Sequence, residues 1–189
     1  MTGRPNRRIP IEAASSDGLA PFGRMVGAAT GLQMFAQWSG VSVFGPVPLA
    51  IGTGGEILHV CAQRAVFPAP IMLLERHFKH TQTYLSANGN PFVMVLGDET
   101  LDGLPDVSRL RAFLFKDGAG VVMNPGVWHE FPLALEDDTR FTVVLSAESH
   151  INLLQDSEFP NDARGPDLER WDMAARADLL IDCWSVAGS

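Results

Sequence analysis

Two short stretches hold most of the polar side chains that interrupt otherwise apolar segments. They are Glu75-Arg76-His77-Phe78-Lys79-His80-Thr81-Gln82 and Asn124-Pro125-Gly126-Val127-Trp128-His129. A carboxylate, two imidazoles and a carboxamide drawn from them can bind a divalent metal ion or polarise a small substrate, provided they converge. The spacing permits it. Residues two apart on a strand face the same side, so Glu75 and His77 can both point inward. Gln82 lies beyond a turn and can return to the same interior from the next strand, and His129 follows Gly126, whose backbone freedom suits a turn.

The elements that must carry these residues read as short strands. From Gly23 to Leu96 the apolar runs are brief, rich in Val, Ile, Phe and Leu, and punctuated by Gly or Pro. The clearest strands are Ile57 to Val60, Ile71 to His77, Gln82 to Leu85 and Pro91 to Leu96. Leu110 to Phe115, Val121 to Asn124 and Arg140 to Ser146 follow, separated by turn signals such as Asn88-Gly89-Asn90 and Lys116 to Gly120. Further on the pattern changes. Leu168, Trp171, Ala175 and Leu179 recur at helical spacing, which predicts one amphipathic helix over Asp167 to Leu180. The expected organisation is a loose, polar tail over residues 1–20, a β domain over 21–160 and a helical segment over 161–189 packed on it. A mostly β chain with a terminal helix points to a closed barrel or a sandwich.

Composition narrows the function. The chain has 189 residues, enough for one domain with a substantial core. A formal net charge of −8 argues against a nucleic-acid partner, which requires clustered basic surface, and weakly against an anionic membrane. No apolar run is long enough to span a bilayer, and Val41 to Ile51 is broken by Pro46 and Pro48. Cys61 and Cys183 are the only cysteines; two well-separated thiols fit a reducing, cytoplasmic setting and are expected in or near the core.

The two polar stretches have the spacing of the two metal-binding motifs of the cupin barrel, the double-stranded β-helix. The first of those motifs has two histidines one residue apart and a glutamate five residues later, positions taken here by Glu75, His77 and Gln82. The second places a histidine three residues after a turn glycine, as His129 follows Gly126. Glu for the first His and Gln for Glu make an oxygen-richer set, poorer for zinc and compatible with nickel, manganese or iron. A hydrogen-bonded polar cluster without a metal accounts for the same residues, and both readings stay open.

At these residues the chain also resembles the ureidoglycolate lyase family. The resemblance rests on Leu74-Glu75-Arg76-His77, Thr81-Gln82, Phe92-Val93-Met94-Val95, Leu110-Arg111-Ala112-Phe113, Gly120-Val121, Val127-Trp128-His129 and Pro132-Leu133-Ala134, with Pro21-Phe22-Gly23 as a weaker match. It implies a cytoplasmic, homodimeric cupin enzyme of purine (allantoin) nitrogen recovery. Such an enzyme splits ureidoglycolate, a small carboxylic acid, into glyoxylate and urea, with nickel in some members. Three places depart from the family pattern: Met123-Asn124-Pro125 stands where a His or Arg pair is usual, Glu130 where a second His follows Trp-His, and Leu145-Ser146 where the last core strand ends in Asp-Arg.

Cleaving such a carbinol adduct needs a base for the hydroxyl and an acid for the leaving nitrogen. His129 is the first candidate, since histidine exchanges protons near neutral pH, with Glu75 or Glu130 as its partner. Arg111 is a candidate for the substrate carboxylate, against the alternative of an arginine lying over Phe113 at the surface. Tyr84, on the face of Gln82, offers a hydroxyl. Lys79 and His80 are expected to be solvated turn residues, and His59 and His150 structural ones. Three functions are consistent with the sequence: a carbon–nitrogen lyase on ureidoglycolate, a related cupin enzyme acting on another small hydroxy or oxo acid, and a non-catalytic binding barrel.

Overall fold

A computed structural model of the protein describes residues 6–27, 32–52, 54–155 and 161–182. With elements numbered along the chain, the central sheet runs β16 (Ala163–Gly165), β17 (Leu168–Asp172), β8 (Leu73–Arg76), β13 (Trp128–His129), β10 (Phe92–Gly97), β11 (Arg111–Phe115) and β2 (Ile11–Ala13). The short β14 (Leu133–Ala134) also pairs with β10. A second sheet runs β3 (Gly23–Val26), β12 (Gly120–Met123), β9 (Gln82–Ser86), β15 (Thr139–Ser146) and β6 (Gly55–Ala62). A small third sheet joins β1 (Asn6–Ile9), β18 (Asp178–Ile181) and β7 (Ala69–Pro70), while β4 (Met34–Trp38) and β5 (Val41–Phe44) form a hairpin. The two helices are α1 (Ser16–Leu19) and α2 (Ala147–Gln155).

Apolar alternation explains the layering. On β10, Phe92, Met94 and Leu96 join Phe113 and Phe115 in a core shared with Tyr84, Val121, Phe141 and Val143 of the second sheet. Val93 and Val95 point the other way, into a second core with Leu74, Trp128, Ile9, Leu179 and Ile181. A strand buried on both faces reads as a continuous apolar run, as Phe92-Val93-Met94-Val95-Leu96 does. The chain is therefore mostly β and cupin-like. The two large sheets face each other without joining in one ring, so the architecture is an open sandwich.

Two expectations about the ends are corrected. Leu168–Asp172 and Asp178–Ile181 are strands and not parts of one helix. The unpaired edge of β8 decides the matter: β17 satisfies its backbone groups from Leu73 to Arg76. Side chains of β17 then alternate between faces, a period that the helical spacing of Leu168, Trp171 and Ala175 disguised. Residues 6–20 are likewise not a loose tail. β1 pairs in parallel with β18, and β2 with β11. Ile9 is 1% exposed, and Leu19, at the end of an α1 capped by Ser15, is fully buried in the inner core. Cys61 is exposed on β6 instead of lying in the core, and Cys183 lies outside the described residues.

Candidate metal centre and substrate pocket

β13 lies between β8 and β10, with His129 directly opposite Glu75 on one side and Leu96 on the other. Residues opposite one another in an antiparallel pair share a face, so His129 and Glu75 both point toward the inner core. The chain leaves β8 after Arg76, and His77 stays on the side of Glu75. Gly126 makes the return turn at φ +85°, a conformation costly for a residue with a Cβ, and its N–H donates to the His77 carbonyl at 2.6 Å. That bond ties the two polar stretches together.

Glu75, His77 and His129 are buried, and one ligand atom from each falls within 4.8 Å of the others. His77 Nε2 and His129 Nε2 lie 3.7 and 3.6 Å from Glu75 Oε1. Two donors bound tetrahedrally to one ion at about 2.1 Å would sit about 3.4 Å apart, so little adjustment is needed. The other ring nitrogens are engaged: His129 Nδ1 lies 3.1 Å from the Val127 carbonyl, and His77 Nδ1 lies 2.6 Å from Ser149 Oγ and 3.2 Å from the Asp167 carbonyl. Outer-shell bonds of this kind orient an imidazole so that its remaining nitrogen faces a metal. Glu75 Oε1 and Oε2, both Nε2 atoms and Gln82 Oε1 are buried without a hydrogen-bond partner. Buried polar atoms are rarely left so. Two imidazoles, a carboxylate and a nearby carboxamide therefore fit a divalent cation.

Electrostatics agree. Burial acts to raise the Glu75 carboxyl, but the imidazoles of His129 and His77 outweigh it and hold the group below the usual carboxylate range. Burial, then the negative charges of Glu75 and Glu130, push the Tyr84 phenol well above its ordinary value, so it keeps its proton. Glu75, Gln82 and Tyr84 line one end of a pocket of about 160 Å³ whose other walls are apolar, among them Phe131, Phe141, Val143 and Leu153.

His129, Glu75, His77, Gln82 and Tyr84 thus converge as the sequence suggested. Arg111 does not join them. Its Nε and Nη2 each reach a Glu12 carboxylate oxygen at 2.7 Å, its Nη1 donates to the Gly18 carbonyl, and it stacks over Phe113. Glu130, one residue beyond His129, faces away and accepts from the N–H groups of Met72, Leu73 and Phe131 at 2.9–3.0 Å.

His80 is a correction: it is 1% exposed, not a solvated turn residue. Its Nδ1 pairs with Asp167 Oδ2 at 2.8 Å, and its ring lies 4.7 Å from that of His77. Burial first, then the charge of His77, lowers its pKa against the opposing pull of Asp167. Asp167 is the residue that sequence reasoning missed. Fully buried, it accepts from the N–H groups of Phe78 and Lys79 at 3.0 and 2.7 Å and from Ser146 Oγ at 2.8 Å. One carboxylate thereby fixes the turn between β8 and β9. The only sequence signal was an isolated acid after Gly165-Pro166, which reads equally well as a helix start. His59 is exposed, and His150 pairs with Glu56.

The family model described as ureidoglycolate lyase matches residues 6–164. Curated relatives named ureidoglycolate lyase include one from Azotobacter vinelandii, 31% identical over 73% of this chain and 84% of that protein. Another, from Pseudomonas aeruginosa strain LESB58, is 32% identical over 73% of this chain and 83% of its own. A third, from Brucella ovis, is 31% identical over 77% and 86%. With the polar row, the facing sheets and these similarities in agreement, the chain belongs to the ureidoglycolate lyase family.

Proposed function

We propose that the protein is a carbon–nitrogen lyase that cleaves ureidoglycolate to glyoxylate and urea, with a divalent cation held by Glu75, His77 and His129 and approached by Gln82. The observation that carries this reading is the set of buried donor atoms without a hydrogen-bond partner on Glu75, His77, His129 and Gln82, beside a largely apolar pocket that Glu75 and Gln82 line. In the reaction the 2-hydroxyl loses its proton, its electron pair forms the aldehyde carbonyl, the C–N bond breaks, and the urea nitrogen gains a proton. A bound cation supplies Lewis acidity toward the hydroxyl oxygen. Tyr84, holding its proton, donates a hydrogen bond to the substrate's polar end, and the apolar walls exclude water. Without a cation, His129 with Glu75 beside it is the acid–base pair.

Nickel is the family's association, and imidazole nitrogen with carboxylate oxygen suits it. A homodimer is supported by exposed apolar side chains on the hairpin and β6, among them Val41, Phe44 and Ile57; light scattering that finds only monomer removes it. A cytoplasmic place in allantoin breakdown follows from the same family reading. Among the described residues no helix is long and apolar enough to cross a membrane. The departures at Met123-Asn124-Pro125 and Leu145-Ser146 favour one alternative, the same chemistry on another small hydroxy or oxo acid.

The deciding experiment strips the protein with a chelator, reloads it with nickel, manganese, zinc or iron in turn, and measures turnover of ureidoglycolate beside a panel of small hydroxy acids. Urea release restored by one metal is the expected result. No turnover of ureidoglycolate by any loaded form rejects the substrate. His129→Ala should lose bound metal and slow turnover by ~10²–10⁴-fold. A folded His129→Ala protein with full activity would show that the site lies elsewhere.

A further inference from the structure

The pocket beside Glu75 changes character from one end to the other, and the strand ladders show why. Val143 of β15 pairs with Tyr84 of β9 on one side and with Leu58 of β6 on the other. Partners across a ladder share a face, so Tyr84, Val143 and Leu58 form one transverse row over two strand spacings of about 5 Å each. Residues two apart along a strand share that face as well. Gln82 therefore joins Tyr84 on β9, while Phe141 and Leu145 on β15 and Val60 on β6 widen the apolar side of the row. Leu153 of α2 adds a further apolar wall.

The polar end is the inner one. Glu75, Gln82 and Tyr84 are buried, whereas Leu58 and Leu153 are half-buried and Val60 is 37% exposed. Among the described residues Glu75 is the one charged member of the lining, which holds no lysine or arginine. A polar group placed among Leu58, Phe141 and Val143 would lose its water and find no partner there, a net cost. An apolar group in the same place is favoured, because it leaves water for surroundings of its own kind. The room suffices for such a group. The cavity measures about 160 Å³, and an apolar cavity of about 150 Å³ takes up benzene, a ring of six carbons.

We propose that the β15–β6 end of this pocket is a subsite for an uncharged apolar group, an aliphatic or phenyl substituent of up to about six carbons, carried by a 2-oxo or 2-hydroxy acid. The adjacent oxygens of such an acid can both reach one divalent cation held by Glu75, His77 and His129, with the substituent lying along the Tyr84–Val143–Leu58 row. The proposal rests on the cation reading for the head group, and not on ureidoglycolate being the substrate.

The test is a chain-length series on nickel-loaded protein, followed by calorimetry: pyruvate, 2-oxobutanoate, 2-oxopentanoate and 4-methyl-2-oxopentanoate. Affinity should rise roughly two- to fourfold for each added carbon, hence about 10–60-fold across the series. 2-Oxoglutarate, which replaces the last methyl of 2-oxopentanoate by a carboxylate, should bind more weakly than that acid. Leu58→Trp, which fills the apolar end from a half-buried position, should abolish the gain with chain length while metal content matches wild type. Should Leu58→Trp fail to fold, Leu153→Trp fills the same space from α2 and carries the test. Benzene probes the subsite apart from any cation: it should shift the methyl resonances of Leu58 and Val143 in metal-free wild type. Equal affinity along the series, tighter binding of 2-oxoglutarate than of 2-oxopentanoate, a folded variant that keeps the full gain, or unmoved methyl resonances overturns the proposal. Ureidoglycolate turnover is measured alongside. A flat series with turnover intact overturns the subsite alone, and a steep series without turnover overturns the lyase reading alone.

Discussion

At the scale of single residues, Glu130 and Glu75 show how position separates two nearly adjacent carboxyls. Glu75 sits between imidazoles and stays ionised. Glu130 is buried on the far face of β13, and burial raises it to about 7 even though the N–H groups of Leu73, Phe131 and Met72 act to lower it. An unfolded chain ionises this group near 4.5, so the folded state binds the extra proton between that value and about 7. Its contribution to stability is accordingly complete below pH ~4.5 and is lost as pH rises through 7, by up to about 3 kcal/mol. Urea unfolding from pH 5 to 8 should show that decline in wild type, and Glu130→Gln should flatten it. An unchanged slope in the variant would assign the pH dependence to other groups.

At the scale of elements, β17 and its entry turn organise the site. Asp167, just before β17, holds the Phe78–Lys79 backbone, His80 and Ser146, so Asp167→Ala leaves two part-buried N–H groups and a buried imidazole without their partner. The expected cost is about 3–5 kcal/mol, with Asp167→Asn losing less because its carboxamide oxygen can keep the two backbone bonds. Denaturation measures the stability, and metal content of the folded Asn variant measures how far His77 has turned. How legible this element was follows from its partners. Glu75, His77 and Gln82 could be read from the sequence because they lie within eight residues of one another, the first two spaced as neighbours on one face of an extended segment. Asp167 could not, because it meets that turn only through a ladder joining residue 170 to residue 75. Within 167–180 the apolar residues satisfy helical spacing, and only the open edge of β8 decides for a strand. The β segments around 57–60, 92–96 and 140–146 were legible for the opposite reason: short apolar runs between turn signals fit little else.

At the scale of the whole molecule, three layers depend on both ends of the described chain. Ile9, held between β18 and the central sheet, should cost about 2–5 kcal/mol when replaced by Ala, a loss that a tail residue would not show. Thermal or urea denaturation of Ile9→Ala decides between the two. The parallel pairing of Asn6 with Asp178 and of Ile9 with Ile181 has a consequence for synthesis. β1 leaves the ribosome long before β18, its ladder partner, which emerges only after every other described element has been made. During that interval the apolar side of β1 has nothing to cover it, and contacts of such long sequence separation form slowly. Glu75, His77 and His129 are all translated well before Asp167. A nascent chain can therefore gather these three side chains while the carboxylate that fixes the turn between β8 and β9 is still unmade, so the cluster is assembled before it is braced.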